Sequence, residues 1–105
     1  MGRFGFSFCD QGAIDLAQSI PPADLTPPAL ALWWLKQGQF KMGVEWEKAH
    51  AICQTAEGTR AYDLVHALAH WIEGDEGNRD YWYARVGGGR AATIEEEWQR
   101  ISALL

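Results

Sequence analysis

The stretch Tyr62–Val86, YDLVHALAHWIEGDEGNRDYWYARV, decides the fold. Gly74-Asp75 is a stop followed by a start, so the stretch reads as two helices folded back on each other. It carries two of the three histidines, His66 and His70, two of the six tryptophans and all three tyrosines. In the first helix, expected over Arg60–Glu73 and capped by Thr59, Ala61, Leu64, Val65, Leu68 and Ile72 form an apolar stripe. Tyr62, His66, Ala69, His70 and Glu73 form an adjoining polar one. The second helix is expected over Glu76–Val86, and the triple glycine Gly87-Gly88-Gly89 stops it.

Upstream, Thr26-Pro27 is a helix start, a hydroxyl cap followed by proline at the first helical position, where its missing N–H loses no hydrogen bond. Ala29–Leu35 is then apolar all round, which predicts a buried helix. That helix ends at Gly38 or runs on towards Gly43, with Lys41-Met42 still able to be helical. The next, near Glu45–Ala56, places Trp46, Ala49, Ile52, Cys53 and Ala56 inward, and Gly58 closes it. At the other end Thr93-Ile94-Glu95-Glu96 forms a capping box. Its helix buries Ile94, Trp98, Ile101 and Leu104 or Leu105, while Glu95, Glu96 and Glu97 suit the positive end of the dipole. Short connections make neighbours antiparallel. The expected fold is all-α: two helical hairpins plus a C-terminal helix over 26–105, preceded by an extended and short-helix segment over 1–25. In that segment Phe4, Phe6 and Phe8 alternate, and Gly12–Ile20 forms a short helix ended by Pro21-Pro22. The phenylalanine run lies across the helices or pairs with its copy in a homodimer; the glycine within it favours the first.

With 105 residues and a net charge of −5, the chain is one domain with a single core. Lys36, Lys41 and Lys48 are too scattered for a basic face, so nucleic acid and anionic membranes are disfavoured as partners. No apolar run reaches the ~20 residues of a membrane span, and the N-terminus lacks a signal-peptide layout. The cytoplasm is therefore the expected location, with Cys9 and Cys53 as free thiols. Their spacing is not that of a Cys-x-x-Cys motif.

The turn and second helix at Gly74, Asp75, Tyr83 and Val86 resemble a tetratricopeptide repeat. Trp46, Ala49, His50, His66, Ala67, His70, Glu73, Gly74, Asp75, Asn78, Tyr81, Trp82, Tyr83 and Gly87 together resemble a further pattern. It belongs to a family of small uncharacterised bacterial proteins, roughly G-D-W-x-x-A-H and then H-A-Y-L-H-R-x-E-G-D-x-x-N-A-x-Y-W-Y-x-R-A-G. The likeness covers about residues 28–105 and departs at Ala69, Trp71 and Arg79. It implies helical hairpins and a set of co-located residues, and no reaction.

These residues support two functional readings. The first is a non-catalytic module that binds a protein or a small ligand through His66, His70, Glu73, Asp75, Asn78, Trp82, Tyr83 and Arg85, without a cofactor. The second is a metal-dependent, hydrolase-like enzyme. His66 and His70 stand at i, i+4 on one helix face, Glu73 is one turn on, and His50 can be supplied by the neighbouring helix. Two imidazoles, a carboxylate and an open position suit catalytic zinc. Against it, Ala67 stands where a His-Glu-x-x-His motif has its glutamate. Histidines bonded to tyrosine hydroxyls and helix-end carbonyls are the structural explanation of the same residues, and the favoured one. His50 and Cys53 are close enough in sequence for a thiolate pair but lack an orienting third group. Gly87–Ala92 matches a dinucleotide fingerprint without the parallel sheet that gives it meaning.

Overall fold

The computed structural model describes residues 20–105. The expected extended run of Phe4, Phe6 and Phe8, the short helix from Gly12, and Cys9 lie outside the described residues. Within them the chain forms five helices, α1 Pro27–Gln37, α2 Val44–Gln54, α3 Arg60–Glu73, α4 Glu76–Val86 and α5 Ile94–Leu104. The fold is all-α: α1 packs on α2, α3 packs on α4, and α5 closes the stack against α3 and α1.

The α3–α4 turn forms as its sequence dictates. Gly74 takes the left-handed conformation (φ 85°), which ends α3. Its N–H bonds Trp71 O at 3.0 Å, and the Asp75 N–H bonds His70 O at 3.0 Å. Asp75 then caps α4 by accepting from the Asn78 N–H.

The α1–α2 turn takes a different course. Residues 38–43 are not helical, so Lys41 and Met42 do not extend α1. The backbone instead passes through two consecutive left-handed residues that are not glycine, Gln39 (φ 60°) and Phe40 (φ 56°). Phe40 N–H reaches Leu35 O at 3.0 Å, and its ring packs edge-on against Trp98. Gly38 is required here by space: a Cβ on it would lie 2.8 Å from Cβ of Glu45.

Two expected caps are absent. Neither the Thr26 nor the Thr59 side chain bonds its helix. Near the start of α3, Asp63 turns back and accepts from the Gly58 N–H instead. Thr93 does cap α5, through the Glu96 N–H.

The core joins Leu32 and Leu35 of α1, Trp46, Ala49 and Cys53 of α2, Leu64, Val65 and Leu68 of α3, and Ile101 of α5. Each fully buried aliphatic side chain contributes about 1.5–3 kcal/mol. Ala61, Ile72, Ile52 and Ala56 are only half-buried, as are Trp33, Trp34, Trp71 and Trp98, so α1 is not covered all round. Leu104 and Leu105, one of which is expected inside, are both exposed, because α5 reaches the core only up to Ile101. None of the described helices is long and apolar enough to cross a membrane.

Candidate metal centre

The middle of the α3 face expected to be polar, His66, Ala69 and His70, is buried, while Tyr62 is half-buried and Glu73 is exposed. His66 and His70 are 2% and 8% exposed, because α2 covers them from one side and α4 covers His66 from the other. His50 lies one turn beyond Trp46 on α2, and its half-buried imidazole stacks on that indole, with ring centroids 4.7 Å apart and planes 14° apart. The Trp46 indole N–H donates to Ala69 O at 2.7 Å, which locks α2 in register with α3. On the far side Trp82 stacks on His66 at 4.3 Å. Two indoles thus bracket the imidazoles.

Between those walls the three histidines converge. Nε2 of His50 and Nε2 of His66 are 3.1 Å apart. One donor atom from each of His50, His66 and His70 fits within a mutual distance of 4.8 Å. Tetrahedral zinc at 2.0–2.1 Å from its nitrogens requires them roughly 3.3 Å apart. The first pair already meets that spacing, and the third imidazole needs to close in by no more than about 1.5 Å.

His70 is braced from behind. Its Nδ1 lies 2.8 Å from Oε1 of Glu73. A carboxylate only accepts, so Nδ1 is the donor of this pair and Nε2 is the nitrogen facing away from Glu73. That is the carboxylate–histidine arrangement which orients an imidazole ligand and raises its basicity. Asp75 lies near enough that donor atoms of His70, Glu73 and Asp75 also fall within 4.8 Å of one another. Glu73 is thus bonded to His70 and belongs with Asp75 to this second grouping, outside the three imidazoles.

Burial favours the neutral form of two of the three imidazoles, His66 and His50. It is the main cause that lowers the His66 imidazole to about 4, with the like charges of His70 and His50 adding to it. His50 is lowered as well, first by burial and then by His70, with Glu73 acting the other way. Neutral imidazole is the state that ligates. Nδ1 of His66 is buried and has no hydrogen-bond partner among the described residues. None of the three imidazoles bonds a tyrosine hydroxyl: Tyr83 OH donates to Glu97 and Tyr81 OH accepts from Arg85. The expected tyrosine-bonded arrangement of the histidines is thus not the one observed.

The remaining expected site residues divide. Asp75 and Asn78 bond each other as a helix cap, Nδ2 to Oδ2 at 2.8 Å. Arg85 lies over Trp82 and Tyr81, with Cζ 5.4 Å from the Trp82 ring centre. Tyr83 leaves the site altogether: its hydroxyl donates to Oε2 of Glu97 at 2.8 Å on the side facing α5. Burial and that carboxylate both push its phenol far up. Glu97 also accepts from the Ala91 N–H and from Arg100, so it is a buried bracket and not an exposed helix-dipole charge. Its position could have been found from periodicity, since Ile94, Glu97, Trp98 and Ile101 lie on one helical stripe. Cys53 is buried in the core, where desolvation pushes its thiol up to about 12, so it makes no thiolate with His50.

The chain matches no family model, no curated protein and no solved structure.

Proposed function

We infer that this protein is a small binding module whose ligand is a divalent transition-metal ion of the zinc class. His50, His66 and His70 are its ligands, and Glu73 is the group that orients His70. The observation that carries the reading is the 3.1 Å approach of the His50 and His66 ε-nitrogens, with a third imidazole beside them. Three imidazole nitrogens favour zinc, copper, nickel or cobalt over magnesium or calcium, which prefer oxygen. Burial supports the same assignment, because it lowers the His50 and His66 imidazoles and so spares the ion competition from protons at those two groups. Three histidines leave one of four positions open. This joins the two functional expectations: the site is a small-ligand site, and the small ligand is the metal. Within this reading the hairpins are tetratricopeptide-like. The protein works in a reducing cytoplasm, where Cys53 stays a thiol.

Titration of metal-free, untagged protein with zinc by calorimetry tests it. The expected result is one ion per chain, a raised melting temperature, and loss of both in His66→Leu and in His70→Leu. Wild-type protein that stays folded and takes up no zinc, cobalt, nickel or copper overturns the reading.

A further inference from the structure

We propose that the metal ion held by His50, His66 and His70 takes a small monoanion at its fourth position. This rests on the metal reading above and concerns the open position alone.

The reason is charge. Imidazole ligands bring no negative charge, so the ion keeps its full double charge in a site walled by Trp46 and Trp82. An uncompensated charge away from water is costly, and a bound cation is then the largest local charge in its surroundings. The carboxylates near it do not touch it. Glu73 is bonded to the far nitrogen of His70, and its side chain is 36% exposed. Asp75 bonds Asn78 at the start of α4. Both are partly screened by water, so they offset the ion incompletely. An anionic fourth ligand supplies the missing charge at bonding distance.

The walls set the size. The indoles of Trp46 and Trp82 stack on two of the three imidazoles, and His50 is the least buried of the three. His50 is therefore the side of the cluster nearest solvent, and the indoles cover the ring faces of His50 and His66. That cover favours a slim ion, such as hydroxide, azide or cyanate, over a bulky carboxylate.

Cobalt(II) in place of zinc makes the position visible, because its absorption responds to coordination number and ligand type. Metal-free full-length protein is loaded with cobalt(II) and titrated with sodium azide, with sodium perchlorate as the ionic-strength control. The expected result is a saturable spectral change with azide and none with perchlorate. Glu73→Gln, which removes the nearest negative charge, should tighten azide on the order of 3- to 10-fold while weakening cobalt. Asp75→Asn removes the second charge without bonding His70 and keeps the helix cap, since asparagine caps about as well as aspartate. It should tighten azide in the same direction, and it decides the matter if Glu73→Gln no longer holds cobalt. A cobalt spectrum that azide in large excess leaves unmoved overturns this inference and leaves the metal reading standing. So does azide affinity that is unchanged or lower in the charge-removing variants. Failure to bind cobalt at all overturns both.

Discussion

Adjacent residues of α4 lead into two buried polar clusters of opposite character. Trp82 covers His66, whereas Tyr83 donates to Glu97. Around Glu97 the accounting is complete. Its two oxygens accept from Tyr83, from the Ala91 N–H and from the Arg100 guanidinium, and the side chain is fully buried. Around His66 the accounting is open: one nitrogen shares a proton with His50 and the other has no partner among the described residues. A closed network ties α4, the 87–93 link and α5 together and needs nothing further. An open one keeps a buried ring nitrogen without a partner. The contrast separates a fully bonded cluster from an incompletely bonded one, although both consist of buried polar groups.

The strongest way to break the contrast is at Glu97. Glu97→Ala strands the Tyr83 hydroxyl, the Ala91 N–H and Arg100 together, and should cost about 3–5 kcal/mol in urea unfolding. A loss well under 1 kcal/mol would show that this cluster is not the bracket described.

Acid distinguishes the clusters next. His66 has its pKa lowered in the folded state to about 4, so as pH falls below 6.5 the unfolded chain takes up the proton first. The stability contributed by neutral burial is intact above that pH, declines as pH falls towards about 4, and levels off below it. Metal-free protein should lose about 2 kcal/mol between pH 7 and pH 5 through this residue. Glu97 acts lower on the scale: Arg100, the Ala91 N–H and Tyr83 hold its carboxyl below the usual value against the opposing effect of burial. Its contribution is therefore kept through that interval. Urea melts at the two pH values, for wild type and for His66→Leu, check this; equal pH dependence in both would assign the loss elsewhere.

Glu73→Gln sharpens the assignment of roles. A residue that orients a ligand without being one should cost about tenfold in zinc affinity, read by competition with a chelating dye. Abolished binding would make Glu73 a ligand, and unchanged binding would deny it any role.

The smallest effect is the most discriminating. His66→Leu in metal-free protein at pH 7 should change stability by within about 1 kcal/mol, because the substitution removes an unsatisfied nitrogen along with a buried ring. Glu97→Leu is not expected to be so mild, since its partners remain. Comparable losses for the two leucine variants would erase the distinction between the clusters.

The boundaries of α3 and α4 were legible because local signals and packing agree there: Gly74 is the one residue at ease where the turn needs it, and Asp75 caps the helix after it. The i, i+4 spacing of His66 and His70 was legible too. The approach of His50 was not, because it depends on Trp46 reaching Ala69 O and fixing how far α2 slides along α3. Residues 38–43 misled for a related reason. Gln39 and Phe40 have no intrinsic preference for left-handed backbone, and their conformation comes with the anchoring of Phe40 against Trp98. Glu97 was hidden among three consecutive glutamates. Composition cannot say which of them turns inward, and only the stripe it shares with Ile94, Trp98 and Ile101 does.

The link at residues 55–59 has one more consequence. It joins the helix that carries His50 to the helix that carries His66, His70 and Glu73, so all three imidazoles and the carboxylate bonded to His70 belong to a single unbroken run of chain ending before Gly74. Bringing such near neighbours together forfeits little chain freedom, and contacts of short sequence separation form early. During synthesis the imidazoles can meet while Tyr81, Tyr83 and the last helix are still inside the ribosome. Under the metal reading, an ion bound at that moment would fasten α2 to α3 before α4 and α5 are in place.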